Sequence, residues 1–562
     1  METYNRRMNQ KPKRVFGNEI FRQETLRFES VPHQSQLFLD FQENSEKVKV
    51  FYPEKETPLK NFAAQVLANY KIDRQELCEI LIETNKSIGA GEKTFENIEL
   101  LREKDCLTVI TGQQAGLFSG AIYTIYKIVS AVKLADDLRR QNVKVVPVFW
   151  IAEEDHDFAE VKRTFVLDKE GKLAEFENTP GEYAENLPVG FVKLDETIGG
   201  TIEELFKSLP HTEFTGEIKT ILTETYRAGD TYSTAFARLL AKLFADYGLI
   251  ILSPLNEKLK KLCAPIFAEA VEKSDEIVSA LLEKNKELEK ETYQAQVLVA
   301  KNFFPFFFQN PNGERQAMRI ADDSKIKIHN LKTEFSKSDL AAIAKNTPHN
   351  LSPNALMRPV VQDYLLPTLV YFGGAAEIAY FAQNSAIYKI LNRPVTPIRH
   401  RASLTIVEAK HNRTLEKYNL TFKDLFGGEE QLRAEIVEKY LNRKTAQVFD
   451  EAEETILQQL NRLEKSLTDD EPTLAANAAN RKRKILWHIG ALRKKYHQAE
   501  ILKNEVVERR IERLFIALLP NNSLQERTLN VVSFLNLYGT NFIKWIYEAA
   551  ETDGKNHQIL YL

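Results

Sequence analysis

The sequence predicts an α/β protein: a core built on a parallel sheet, interrupted by inserted segments and followed by a long helical hairpin. Three observations carry this. Strand, helix and strand patterns follow one another between residues 106 and 151, the signature of a βαβ unit. Two turn-rich, β-like stretches then interrupt the alternation, near 165–195 and 300–335. In the last third the apolar residues shift to a sustained spacing of three and four.

Each element can be justified in order. Residues 1–100 form the N-terminal helical part of the core, since Leu59, Phe62, Val66 and Tyr70 recur at helical spacing, as do Leu77, Ile80 and Leu81. Residues 101–165 hold the βαβ unit. "CLTVI" (106–110) is a short apolar strand, and Ile122, Ile125, Val129, Val132 and Ala135 make the buried stripe of the crossover helix. "VKVVPVFWI" (143–151) suits a strand covered on both faces, with Pro147 predicting a bulge or bend. Residues 166–233 read as a β-rich insertion, through "LDKEGK", "NTPGEY" and "LPVG". Residues 234–257 return to the core as helix then strand, with Gly248 as the helix C-cap. Residues 258–340 form a second insertion, helical to 292 and β-like from 300 to 335. Residues 341–430 continue the core: a helix and turn region over 352–391, then a strand near "VTPIRHRASLTI".

Residues 431–515 predict an antiparallel coiled-coil hairpin. Ala446, Phe449, Ile456, Leu460, Leu463 and Leu467 form one seam, interrupted by Glu453. After the break "TDDEPT" (468–473) the rhythm resumes at Ile485, Ile489, Leu492, Tyr496 and Ala499. A lone hairpin exposes its seam, so self-association is its expected use. Its basic run, Arg481 to Lys484, reads as a solvated face. Residues 516–562 are expected to pack back on the core.

Bulk properties exclude several function classes. At 562 residues the chain has room for two or three domains. Acids and bases nearly cancel, 79 against 76, leaving no overall field to hold nucleic acid or an anionic membrane. Cys78, Cys106 and Cys263 form no CxxC pair, which fits a reducing cytoplasm and argues against a disulfide framework or thiolate zinc site. Cys106 reads as a buried small hydrophobe. The start "METYNRRMNQKPKR" lacks an apolar stretch behind it, so no signal peptide is expected. The run from Leu365 to Ala382 contains Gly373, Gly374 and Glu377 and does not read as a membrane span. The expected location is the cytoplasm.

Three groups of residues carry the candidate chemistry. "TGQQAGLFSG" (111–120) lies between a parallel strand and its helix, at the carboxyl edge where open α/β sheets bind ligands. The first N–H groups of that helix welcome an anionic or carbonyl oxygen. Gly112 and Gly116 permit close approach, and Thr111, Gln113, Gln114 and Ser119 supply donors and acceptors. The second strand ends in "EEDHD" (153–157), placing Asp155, His156 and Asp157 at the same edge. Acids crowded there repel one another unless cations or protons intervene. Either aspartate can orient His156 as a general base; metal ligation is a competing reading, although no partner cluster with ligand spacing appears and no tightly bound metal is expected, and an ordinary acidic loop capping the next helix is another. The third group is Ser352, Asn354, Arg358, Gln362, Glu377 and Tyr380. Arg358 and Gln362 share a helix face if Pro359 sits in the first turn, and Arg358 can clamp a carboxylate or phosphate. The alternative is that Glu377 caps its own helix and pairs with Arg358 structurally.

Taken together, "TGQQAGLFSGAIYTIYK", "VPVFWIAEEDHDF", "FARLLAKLFADYGLIILSP", "SPNALMRPVVQDYLLPTLVYFGGAAEIAYFAQ" and "LPNNSLQER" (519–527) resemble the BshC family of cysteine-adding enzymes of bacillithiol synthesis. The motifs fall in the family's order from about residue 15 to the C-terminus. The resemblance implies a Rossmann-like doubly wound core akin to class I aminoacyl-tRNA synthetases, and a coiled coil that makes a homodimer. It implies condensation of L-cysteine with the amine of glucosaminyl-malate, the last step to bacillithiol. Matching positions are Gly112, Gln113, Gln114, Gly116, Gly120, Tyr123 and Lys127, then Trp150, Asp155, His156 and Asp157. The third motif matches at Ser352, Pro353, Asn354, Arg358, Pro359, Gln362, Gly373, Gly374, Glu377 and Tyr380. "GLFSG" stands where class I synthetases carry their HIGH signature, and both histidines are missing. Ala375 and Ala376 replace a common proline-glycine pair, and His400 precedes Arg401 where a proline is usual.

The mechanism these residues suggest is amide formation in the cleft over the sheet. The cysteine carboxylate needs activation, with ATP and Mg2+ the expected source. Loop 111–120 and Lys127 would hold phosphate or carboxylate oxygens, His156 would accept the amine proton, and Arg358 would bind a malate carboxylate. The rival readings are a non-catalytic coiled-coil scaffold with a degenerate nucleotide cleft, or a tRNA-linked synthetase-like enzyme.

Overall fold

Leu107–Gln113 (β1) is buried along nearly its whole length and lies at the centre of a five-stranded sheet. The structure is a computed structural model that describes residues 14–16, 19–183, 185–321, 325–329 and 334–562. The basic N-terminal stretch lies almost wholly outside these. The other core strands are Val145–Ile151 (β2), Ile250–Leu252 (β3), Thr368–Gly373 (β4) and Ile398–His400 (β5), in the order β5-β4-β1-β2-β3. Every pairing is parallel. This is the 3-2-1-4-5 order of a doubly wound Rossmann sheet, in which the connections after β1 and β4 leave towards opposite sides and open a crevice at their carboxyl ends.

β4 corrects the reading of 352–391 as helix and turn. "TLVYFG" is a β-branched and aromatic run between two helices, Arg358–Leu365 (α1) and Ala375–Ile390 (α2). Its flanks are apolar too, so the strand is hidden inside one long hydrophobic stretch. Pro147 makes no bulge, since β1 pairs with β2 in continuous register from Val145 to Ile151. β3 pairs only with Val148–Trp150, so no ladder on that side needs a donor at Pro147. The irregularity falls instead between Thr368 and Val370 in β4.

The crossover helix Tyr123–Arg139 packs Ala131, Leu134 and Ala135 against Val109, Val370 and Phe372, with Phe62 and Val66 of Leu59–Asn69 closing the layer. Its other side is covered by the C-terminal segment. Lys133 Nζ donates to the carbonyls of Tyr547, Glu548 and Ala550 at 2.7–2.9 Å, capping the helix Asn541–Ala549. Among the described residues of the first hundred, the regular structure is helical save for the strands Arg14–Phe16 and Glu19–Arg27, which join Asn556–Tyr561 and Ser403–Val407 in a four-stranded sheet.

The segment 166–233 is less β-rich than its turn residues suggest. One hairpin, Arg163–Leu167 with Leu173–Glu177, is followed by helices Thr197–Ser208 and Thr215–Thr225. The second insertion opens with helices Glu257–Glu272 and Ser274–Lys290. It then builds an antiparallel sheet from Phe306–Gln309, Arg315–Ile320, Ile326–Ile328 and Glu334–Phe335, which Leu351–Pro353 joins. No helix among the described residues is long and apolar enough to cross a membrane.

The chain divides into two units: residues up to Thr405 with Gln525–Leu560, and Ile406–Leu524 with Tyr561–Leu562. In the second unit, helices Arg443–Asp470 and Pro472–Leu502 form the hairpin, with Pro472 in the first turn of the second helix. Glu453 is accommodated by Arg493, whose guanidinium also meets Glu438 and Asp450.

Phe372 is fully buried between β1 and the crossover helix. Phe372→Ala is expected to cost about 3–5 kcal/mol, seen as a lower denaturant midpoint by circular dichroism.

Candidate active site

The glycine-rich loop after β1 is shaped by its own backbone. A Cβ on Gly112 would lie 2.7 Å from the Trp150 carbonyl oxygen, and one on Gly116 would lie 2.8 Å from Gly120 Cα. These glycines let strand meet strand and loop meet loop. Phe118 and Ser119 adopt left-handed φ of 51° and 84°, strained for residues with side chains. Asn530 holds that strain in place: its Nδ2 donates to the carbonyls of Phe118 and Gly120 at 2.9 and 2.8 Å. The Ile122 N–H is also taken, by the Leu529 carbonyl at 2.8 Å. The helix N-terminus, expected to greet an anion, is thus partly occupied by the chain itself.

Lys127 anchors the floor. Its buried ammonium donates to the Gly112 carbonyl and Gln113 Oε1, each at 2.9 Å, and forms an ion pair with Glu377. Its three donors are consumed. Glu377 also accepts from Gly374 N–H at 2.7 Å and the Tyr371 hydroxyl at 2.6 Å. Burial alone would raise the Glu377 pKa, but Lys127 and these donors hold it below the usual carboxylate value. Arg358 donates to Gln362 Oε1 at 2.9 Å and to the Tyr371 and Tyr380 hydroxyls at 3.3 Å.

The acids after β2 are separated by cations and burial. Glu153 is enclosed, and burial raises its pKa against the hydrogen bonds from Ser253 and Leu255 N–H. Glu154 forms a buried pair with Lys260. Asp155 accepts from Gln114 Nε2 and from the His156 N–H, both at 2.8 Å, and from Arg315 at 3.4 Å. His156 Nδ1 lies 3.8 Å from Asp155 Oδ1, beyond hydrogen-bond reach, and has no hydrogen-bond partner among the described residues. Burial and then Arg315 lower the His156 pKa, outweighing Asp155 and Asp157. Asp157 faces away from this task, accepting the Glu160 N–H at 3.3 Å as the cap of a short helix.

These groups surround a cavity of about 700 Å³. Gly112, Gln113, Gln114, Tyr123 and Lys127 from the first group line it, as do Trp150, Asp155 and His156 from the second. Asn354, Arg358, Gly374, Glu377 and Tyr380 come from the third. Gly116, Ser119 and Gly120 instead line an adjoining cavity of about 230 Å³, which shares Gln113, Gln114 and Tyr123 with the first. Asp157, Ser352, Gln362 and Gly373 line neither. Ser352 accepts from Arg315 Nε at 3.2 Å, and Gln362 donates to Asp363 at 2.9 Å. Gly373 leaves room for Glu377, whose Cβ would lie 2.8 Å from an added methyl.

Sequence reasoning missed one whole wall. Phe303, Phe304, Phe306, Phe307 and Met318 of the second insertion form an apolar side, joined by Arg315 and Arg319. Arg401 and Arg527 also line the cavity. Arg401 was legible in principle, since it follows β5 at the carboxyl edge. It is tied to the buried Glu526 at 2.8 Å. Nothing local marks Arg315, whose role depends on a sheet folded far from its position in the chain.

Family models described as "Bacillithiol biosynthesis BshC, N-terminal Rossmann-like domain" and "Bacillithiol biosynthesis BshC, C-terminal coiled-coil domain" match residues 23–402 and 404–562. A relative from Koribacter versatilis, named "Putative cysteine ligase BshC", is 34% identical over 524 residues, covering 93% of this chain and 96% of its own. Relatives of the same name from Salinibacter ruber and Bacillus cytotoxicus are 33% and 31% identical. They cover 93% and 88% of this chain, and 96% and 92% of their own. A crystal structure described as a "putative arginyl t-RNA synthetase" from Campylobacter jejuni aligns over 85% of this chain and 99% of that one. Its 10% identity and TM-score of 0.23 are too low to bear on the fold.

Lys127→Met strands Glu377 in the interior and is expected to cost about 3–5 kcal/mol. Lys127→Met with Glu377→Gln should cost clearly less, a difference measurable by urea denaturation of both variants.

Proposed function

The chain belongs to the BshC family of bacillithiol biosynthesis, and from that footing we propose that it is a ligase joining L-cysteine to the amine of glucosaminyl-malate, the final step to bacillithiol. One observation carries the reading: the loops after β1, β2 and β4 meet at a single cavity that holds a histidine with an unpartnered ring nitrogen, among several guanidinium groups. A carboxylate is a poor electrophile, so the cysteine carboxyl needs activation, which we assign to ATP with Mg2+. The adjoining cavity, walled by Ser119, Arg163, Thr164 and Arg527, offers the cations and hydroxyls that suit a phosphate chain.

The chain's own groups then divide the work. His156 takes the proton lost by the acceptor amine as the new C–N bond forms and the activating group departs. Its lowered pKa keeps it unprotonated and ready near neutral pH. A malate carboxylate is met by the guanidinium of Arg358 in the main cavity. Lys127 acts through its bonds to Gly112, Gln113 and Glu377, holding the loop and floor in register. The apolar wall of the second insertion excludes water, which would otherwise compete with the amine.

The hairpin completes the proposal. Val448, Leu463, Leu474, Trp487, Leu492 and Leu502 are each at least half exposed on its two helices, an apolar surface suited to a second copy of the chain. We assign the protein a homodimeric state through this hairpin.

Enzyme mixed with glucosaminyl-malate, cysteine and ATP is expected to yield bacillithiol by mass; product without nucleotide would refute the ATP assignment and leave the ligase intact. His156→Ala should lower turnover about a hundredfold or more, and near-normal turnover would remove it from the base role. The double variant Trp487→Glu, Leu492→Glu is expected to sediment at the 64.6 kDa chain mass, whereas the native protein sediments at twice that value.

A further inference from the structure

We propose that Arg315 is a positioning residue for His156, acting through Asp155, and that it makes the second insertion a working part of the active site. The inference rests on the ligase reading, in which His156 is the base. Arg315 begins the strand Arg315–Ile320 in the insertion's antiparallel sheet, and its side chain is only 8% exposed. The guanidinium lies over the Phe307 ring, 3.8 Å from its centroid. From there each nitrogen is used: Nε donates to Ser352 Oγ at 3.2 Å, Nη2 to the Pro353 carbonyl at 3.1 Å, and Nη1 to Asp155 Oδ1 at 3.4 Å. A planar fork gripped on every side has one orientation.

Asp155 is what makes this grip matter. Its carboxylate also receives the Gln114 amide from the loop after β1 and the backbone N–H of His156. One carboxylate thus joins all three contributors, and a shift of Arg315 is passed to the residue that carries the base. Charge acts in the same direction. The acids that act on His156 are Asp155 and Asp157 of its own loop, and Glu160 of the next short helix lines the same cavity. Glu154 is neutralised by Lys260, and Arg319 lines the same cavity. Arg315 is the cation paired with the acid beside the ring. Without it the surrounding carboxylates favour the imidazolium, which cannot accept a proton.

A tether with no electrostatic role would lower stability or turnover without moving a titration. The experiment therefore follows two titrations in Arg315→Met, Arg315→Lys and Asp155→Asn. One is the acid limb of kcat/KM. The other is the pH dependence of His156 modification by diethylpyrocarbonate, read by peptide mass and independent of turnover. Arg315→Met is expected to move both to higher pH and to reduce kcat more than tenfold. Arg315→Lys keeps the charge and should leave both near their native positions while lowering kcat. Asp155→Asn, which cuts the link from its other end, should move both to lower pH; it also tests the idea should Arg315→Met fail to fold. Unchanged titrations in Arg315→Met, or in Asp155→Asn, would overturn the proposal. A shifted modification profile in a protein that forms no product would uphold the positioning of His156 while refuting the ligase reading.

Discussion

A lysine ammonium cut off from solvent must find all its acceptors inside the protein, and Lys127 finds them where β1 and β4 diverge. One acceptor is the backbone of β1, one is the glutamine that ends that strand, and one is the carboxylate in the first turn of the helix after β4. The Rossmann strand order brings these two strands side by side and sends their connections to opposite sides. The buried ion pair closes the split at its base. An isolated charge there would be prohibitive, so the two elements hold their spacing or the site does not form.

Above that floor the site is a balance of opposed charges. Acids after β2 would repel one another, and each is answered from a different part of the chain: Glu154 by Lys260 from a helix of the second insertion, Asp155 by Arg315 from its sheet, Glu153 by burial and hydrogen bonding. The second insertion therefore does more than decorate the core. It brings the counter-charges and the apolar wall that the open edge of the sheet lacks.

Much of the architecture was legible from periodicity. The βαβ unit, the hairpin and the strand-rich second insertion follow from patterns within short windows. β4 was not, because an apolar strand flanked by apolar helices has no contrast to mark its ends. At the site, the three loops converge as the parallel-sheet rule requires, since every strand delivers its carboxyl end to the same edge. The helix caps at Asp157 and Glu377 were among the readings the sequence allowed, but most other partners were not legible. Arg358 met two tyrosines and Lys127 was consumed by Gly112, Gln113 and Glu377, through contacts that local periodicity does not encode. Arg315 and Arg527 reach the cavity from segments whose local pattern says nothing of where they fold.

The clamp on the glycine-rich loop has a temporal consequence. Asn530 and Leu529, which hold residues 118–122, belong to a segment that rejoins the first unit only after the chain has passed through the second. On the ribosome, the loop is translated some four hundred residues before its latch. The nascent Rossmann layer must therefore wait, with its strained turn unsecured, until residues 529 and 530 emerge. A product interrupted before residue 529 would carry His156 and its neighbours without the latch that secures the loop beside them.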